Sequence, residues 1–123
     1  MQQVSTPRRV VIVDDNEDAA LSLAMVCGAW GHEVHTACGG REAIALCGEF
    51  SPEIAILDIS MPGMNGYELA RELRRKLGDE VVLIALTALS QLEDKGRARE
   101  AGFNHHMVKP AELDALHELI CAR

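Results

Sequence analysis

Residues 54–58 read Ile-Ala-Ile-Leu-Asp, an unbroken apolar run closed by a carboxylate. A strand with one wet face alternates apolar and polar side chains, whereas a parallel strand covered on both faces is apolar throughout. The stretch therefore predicts a central parallel strand with Asp58 at its carboxyl end. Outward from it the pattern repeats. Val10-Val11-Ile12-Val13 runs into Asp14 and Asp15, and Val81 to Leu86 runs into Thr87. Residues 33–37 and 104–108 are mixed in polarity, as edge strands are, and the second of these ends at Lys109.

Helical spacing fills the intervals. Residues 17–30 carry Leu23, Val26, Cys27 and Trp30, with Gly31 as a stop, and residues 41–50 carry Ala43, Ile44, Cys47 and Phe50 on one face. A loop with Pro62, Gly63 and Gly66 leads into a helix bearing Leu69, Leu73 and Leu77. A polar helix is expected over residues 90–101 and a last one from about residue 111, with Leu113, Leu116 and Ile120. Strands alternating with helices through short connections imply right-handed crossovers and a parallel sheet. The predicted fold is α/β, a flavodoxin-like (βα)5 unit whose five-stranded parallel sheet runs 2-1-3-4-5 with helices on both faces. That order puts the two mixed strands at the edges.

The 123 residues suit one domain, assigned to residues 8–123 behind a tail of residues 1–7. No apolar run is long enough to span a membrane, and the opening MQQVSTPRR lacks a signal core, so a cytoplasmic protein without membrane insertion is expected. The net charge of −7 speaks against nucleic acid as a partner, since phosphate backbones are held by surplus Lys and Arg. Cysteines 27, 38, 47 and 121 form no C-x-x-C pair, which argues against zinc and redox chemistry. Cys27 and Cys47 read as small core hydrophobes.

In open parallel sheets, ligands bind beyond the carboxyl ends of the strands. In the order 2-1-3-4-5 the neighbouring strands 1, 3, 4 and 5 end in Asp14 and Asp15, Asp58, Thr87 and Lys109, which thus converge on one shallow pocket. Crowded carboxylates repel one another unless a cation or a proton intervenes. A hard divalent ion, magnesium or manganese, answers this need and also bridges phosphoryl oxygens. Lys109 adds a mobile positive charge and Thr87 a hydroxyl donor, while an Asp carboxylate serves as a phosphoryl-accepting nucleophile. Taken singly, each residue has a plainer reading: Asp15 or Asn16 as a helix cap, Asp58 as a turn residue, Lys109 as a solvated charge. Their convergence favours the chemical one.

The segments VVIVDDNEDA, IAILDISMPGMNGYEL, LIALTA and AGFNHHMVKP, in this order, resemble the receiver domain of two-component response regulators over essentially the whole chain. The resemblance is greatest to receivers attached to hybrid histidine kinases, with a stand-alone regulator as the alternative. It implies that Asp58 is the phosphoacceptor and that Mg²⁺ is held by Asp14, Asp15, Asp58 and the backbone carbonyl of Ser60. It implies phosphoryl contacts from Thr87 and Lys109, a cis Lys109–Pro110 peptide, and a histidine kinase or histidine phosphotransfer domain as partner. A homodimer through the fourth and fifth helices is a further implied option. Such a domain is not an enzyme on a separate substrate; it promotes only its own phosphoryl transfer and dephosphorylation.

His106 departs from the pattern, because the switch position three residues before Lys109 usually holds Tyr or Phe. Thr87 and His106 are the switch candidates, with a surface histidine as the plainer reading of His106. Gly96, inside the fourth helix, costs about 1 kcal/mol relative to Ala and suits a segment that shifts. Two rivals stand beside this reading. A haloacid-dehalogenase-like phosphatase would need an acid where Ser60 stands, and a degenerate receiver would bind partners without phosphorylation.

Overall fold

The computed structural model describes residues 7–87 and 95–121. Along the chain come β1 (Arg9–Val13), α1 (Glu17–Ala29), β2 (Glu33–Ala37), α2 (Gly40–Phe50), β3 (Ile54–Asp58), α3 (Gly66–Leu77), β4 (Val82–Thr87), α4 (Lys95–Ala101), β5 (His105–Val108) and α5 (Leu113–Cys121). All strand pairs are parallel, in one sheet ordered β2-β1-β3-β4-β5. The mixed strands β2 and β5 are the edges, as their sequences predict.

Side-chain alternation explains why the central strands are apolar on both faces. Val11, Val13, Ala55, Leu57, Leu83 and Ala85 pack toward α2, α3 and α4. Their neighbours Val10, Ile12, Ile54, Ile56, Ile84 and Leu86 pack against α1 and α5. Each fully buried Leu or Ile in these layers contributes about 1.5–3 kcal/mol.

The register aligns the strand ends. Val13 lies beside Leu57, Asp58 beside Leu86, and Thr87 beside Val108, so the residues that follow emerge along one rim. Side-chain caps fix where α1 and α3 begin behind this rim. The Asn16 side chain accepts from Ala19 N at 3.1 Å to open α1. Asn65 and Glu68 form a reciprocal capping box at α3.

That box corrects one expectation: Gly66, placed in the loop by its breaker character, is the first residue of α3. An added Cβ there would stand 2.6 Å from the Asp58 carbonyl oxygen and 2.7 Å from Ile59 Cα, so the close approach admits only glycine. The expected apolar face of α1 is the one that turns inward. Cys27 and Ala20 are buried, Leu23, Val26 and Trp30 half-buried, and Leu21 and Met25 lie 46% and 75% exposed. Lys95 and Gly96, expected in the interior of the fourth helix, open its described part; residues 90–94 of that helix and residues 1–6 of the expected tail lie outside the described residues. No helix among the described residues is long and apolar enough to cross a membrane.

Candidate functional site

The rim gathers four of the predicted side chains. Carboxylate oxygens of Asp14, Asp15 and Asp58 lie within 4.8 Å of one another, the one such trio of His, Cys, Asp and Glu among the described residues. Asp14 and Asp58 are buried, while Asp15 is exposed and leaves the cluster open to water. Between the buried pair, Lys109 Nζ stands 3.1 Å from Asp58 Oδ1 and 3.3 Å from Asp14 Oδ2. Lys109 itself is held by its backbone N–H, which donates to the Thr87 carbonyl at 2.8 Å. The Lys109–Pro110 peptide that follows is cis.

Main-chain donors fix the carboxylates. Asn16 N donates to Asp14 Oδ1 at 2.9 Å, and Ser60 N donates to Asp58 Oδ1 at 3.2 Å. Burial, the largest influence, pushes the Asp58 carboxyl up to about 6, and the Asp14 charge adds to the rise against the pull of Lys109 and the Ser60 N–H. At Lys109, burial opposes the charge, but hydrogen bonds and proximity to Asp58 and Asp14 outweigh it and raise the pKa.

Thr87 and His106 stand apart from this contact set. The Thr87 side chain is buried, and its hydroxyl donates to the Met107 carbonyl at 3.4 Å. His106 is half-buried on β5, opposite Ala85, and lines the grooves toward α4 and α5. Sequence reasoning weighed Asn16 only as a cap, yet it both caps α1 and orients Asp14. It gave no role to Gly66, whose glycine lets α3 start directly beneath Asp58; the Asn65–Glu68 box was the available signal. A cleft of about 540 Å³ between α1 and α5 opens beside the pocket, with Asp14 and Lys109 on its rim and Leu23, Val26 and Leu113 on its walls. Cys27 and Cys47 are buried free thiols, pushed up by burial to about 12 and about 11, and so unreactive.

Fold and pocket together define a flavodoxin-like α/β domain with an acidic, lysine-bridged site at the carboxyl edge of its sheet. Residues 10–121 match the response regulator receiver domain, and the chain belongs to that family. It is thus a receiver module of two-component signalling. It is 34% identical over 116 residues to the virulence sensor protein BvgS of Bordetella bronchiseptica, covering 89% of this chain and 9% of that sensor. It is 33% identical over 110 residues to the response regulator MprA of Mycolicibacterium vanbaalenii, covering 89% of this chain and 47% of the relative. The chain therefore spans less than half the length of either. Among solved structures, a putative response regulator from Chloroflexus aurantiacus superposes with a TM-score of 0.87 at 32% identity, covering 96% of this chain and 100% of that one. The receiver domain of Saccharomyces cerevisiae Ssk1, solved with the histidine phosphotransfer protein Ypd1, is represented by a chain with a TM-score of 0.86 at 26% identity, with coverage of 96% and 89%.

Proposed function

We propose that this receiver accepts a phosphoryl group on Asp58 from a phosphohistidine of a kinase or phosphotransfer partner. The observation that carries this reading is the ammonium of Lys109 shared between Asp58 and Asp14 in a pocket that Asp15 opens to solvent. An Asp58 carboxylate oxygen attacks phosphorus, the P–O bond forms as the P–N bond breaks, and the electron pair leaves on the imidazole nitrogen. Lys109 stabilises the transferring oxygens, and the Thr87 hydroxyl turns from Met107 toward them. The hard oxygen donors suit Mg²⁺ or Mn²⁺, held by Asp14, Asp15, Asp58 and the Ser60 carbonyl. The ion supplies charge neutralisation for the phosphoryl oxygens.

The domain, residues 8–123, is no enzyme on a separate substrate; it promotes transfer onto itself and the later hydrolysis of the acyl phosphate. Its partners are proteins rather than nucleic acids, a reading supported by the net charge of −7 and by the Ypd1-bound relative. It acts in the cytoplasm without inserting into a membrane. The repositioning of Thr87 remodels the face of α4, β5 and α5, with His106 as the second switch residue, and two activated copies pair through α4 and α5.

The test is intact mass after incubation with Mg²⁺ and phosphoramidate. One added phosphoryl group in the wild type, absent in Asp58→Asn and without the metal, is the expected result. No gain in the wild type, or an equal gain in the variant, overturns the assignment.

A further inference from the structure

A second cleft, of about 960 Å³, is lined by the start of α2, the β3–α3 loop and the exposed side of α3. Its charges are unequally committed. Glu42 accepts from Cys38 N at 2.9 Å and Glu68 from Asn65 N at 3.0 Å, so both carboxylates serve main-chain capping. Glu72 is paired with Arg75 at 2.6 Å. Arg41, from α2, and Arg71, from α3, line the same cleft and make no hydrogen bond or ion pair among the described residues. Two guanidinium forks therefore enter one concave space from different elements while every neighbouring carboxylate is engaged, in a protein whose net charge is −7.

We infer that this cleft binds a small polyphosphate anion, clamped between Arg41 and Arg71. Guanidinium is suited to the task because its planar donors match phosphate oxygens bidentately. The volume lies in the usual range of small-molecule sites, roughly 300–1,000 Å³. Pro62, Gly63 and Met64 also line it, and they belong to the loop that leaves Asp58. Occupancy braces that loop and slows phosphoryl loss from Asp58; this last step alone rests on the acceptor assignment above.

The experiment is an amide NMR titration with inorganic pyrophosphate, and in parallel with adenosine diphosphate, in EDTA without divalent metal. The proteins are wild type, Arg41→Gln/Arg71→Gln and Asp58→Asn. Saturable shifts at Gly39, Gly40 and Gly63 are expected with both probes, retained in Asp58→Asn and weakened at least tenfold in the double arginine variant, whose spectrum also reports its fold. Absence of saturable shifts overturns the site, as do equal affinity in the double variant, shifts confined to the neighbourhood of Lys109, or binding of the nucleotide without pyrophosphate. Because Asp58→Asn keeps the cleft, failure of the acceptor assignment leaves this result untouched.

Discussion

Lys109 Nζ stands 3.1 Å from Asp58 Oδ1 and holds that carboxyl below the value its burial alone would give it. Replacing the cation with Lys109→Met is expected to move the Asp58 pKa upward from about 6, toward protonation at neutral pH. Loss of a charge-assisted contact costs about 1.5–3 kcal/mol, so phosphorylation by phosphoramidate should slow roughly 10- to 100-fold. Carboxyl-detected NMR titration and the rate of mass gain check the two halves separately.

Stability should carry the same signature. The Asp58 carboxyl titrates at about 6 in the fold against an ordinary 3.8, so the native state holds more protons through that window. Stability then falls as pH rises from the lower value to the higher, and the loss is complete above it. In EDTA, Asp58→Asn should be more stable than wild type by about 2 kcal/mol at pH 7.5 and nearly equal to it at pH 4. Urea unfolding at the two pH values decides; an equal difference at both would contradict the assigned shift.

His32 predicts the opposite slope. It is buried, its Nδ1 accepts from Arg8 N at 3.0 Å, and its Nε2 has no partner among the described residues. Burial chiefly, with the nearby His117 and Arg8 charges, lowers its pKa against the weaker opposing influence of Glu53. A lowered histidine stabilises the fold above its ordinary pKa of about 6.5 and loses that contribution as pH falls. Relative to His32→Asn, the wild type should lose stability between pH 7 and pH 5, measured as the difference in urea midpoints.

Gly66→Ala tests the geometry beneath the acceptor. Its Cβ would meet main-chain atoms of Asp58 and Ile59 at 2.6 and 2.7 Å, contacts no rotamer relieves. A destabilisation of about 2 kcal/mol or more is expected, with weakened Mg²⁺ binding, because the loop must move. Thermal unfolding with and without Mg²⁺ reads both; an unchanged metal-induced shift would separate the loop from the site.

Arg74 predicts a purely structural loss. Its guanidinium donates to the carbonyls of Gly78, Val81 and Gly102 and to Asn104 Oδ1, tying the end of α3 to the segment that enters β4 and to the α4–β5 turn. Arg74→Met should cost about 2–3 kcal/mol in urea unfolding while leaving phosphorylation of the folded protein unchanged.

The sheet was legible because burial on both faces leaves a one-dimensional trace: the runs before Asp14, Asp58 and Thr87 have no polar interruption, and EVHTA does. The pocket was legible because each of its residues sits at a strand end. The inward face of α1 showed in the spacing of Leu23, Val26, Cys27 and Trp30, but the exposure of Leu21 and Met25 did not, since SLAMVCGAW is apolar almost all round. Arg74 was equally opaque. Its acceptors are main-chain carbonyls brought to it by tertiary approach, which leaves no mark on residue identity.

Asp14 and Lys109 touch across 95 residues of sequence. Because β1 and β5 supply opposite walls of one pocket, no partial chain ending before residue 109 possesses it. During synthesis the pocket waits for residue 109, and the layer beneath α1 waits longer still, for Leu116 and Ile120 of α5. Competence to signal therefore arrives only in a molecule whose sheet has closed to its final edge.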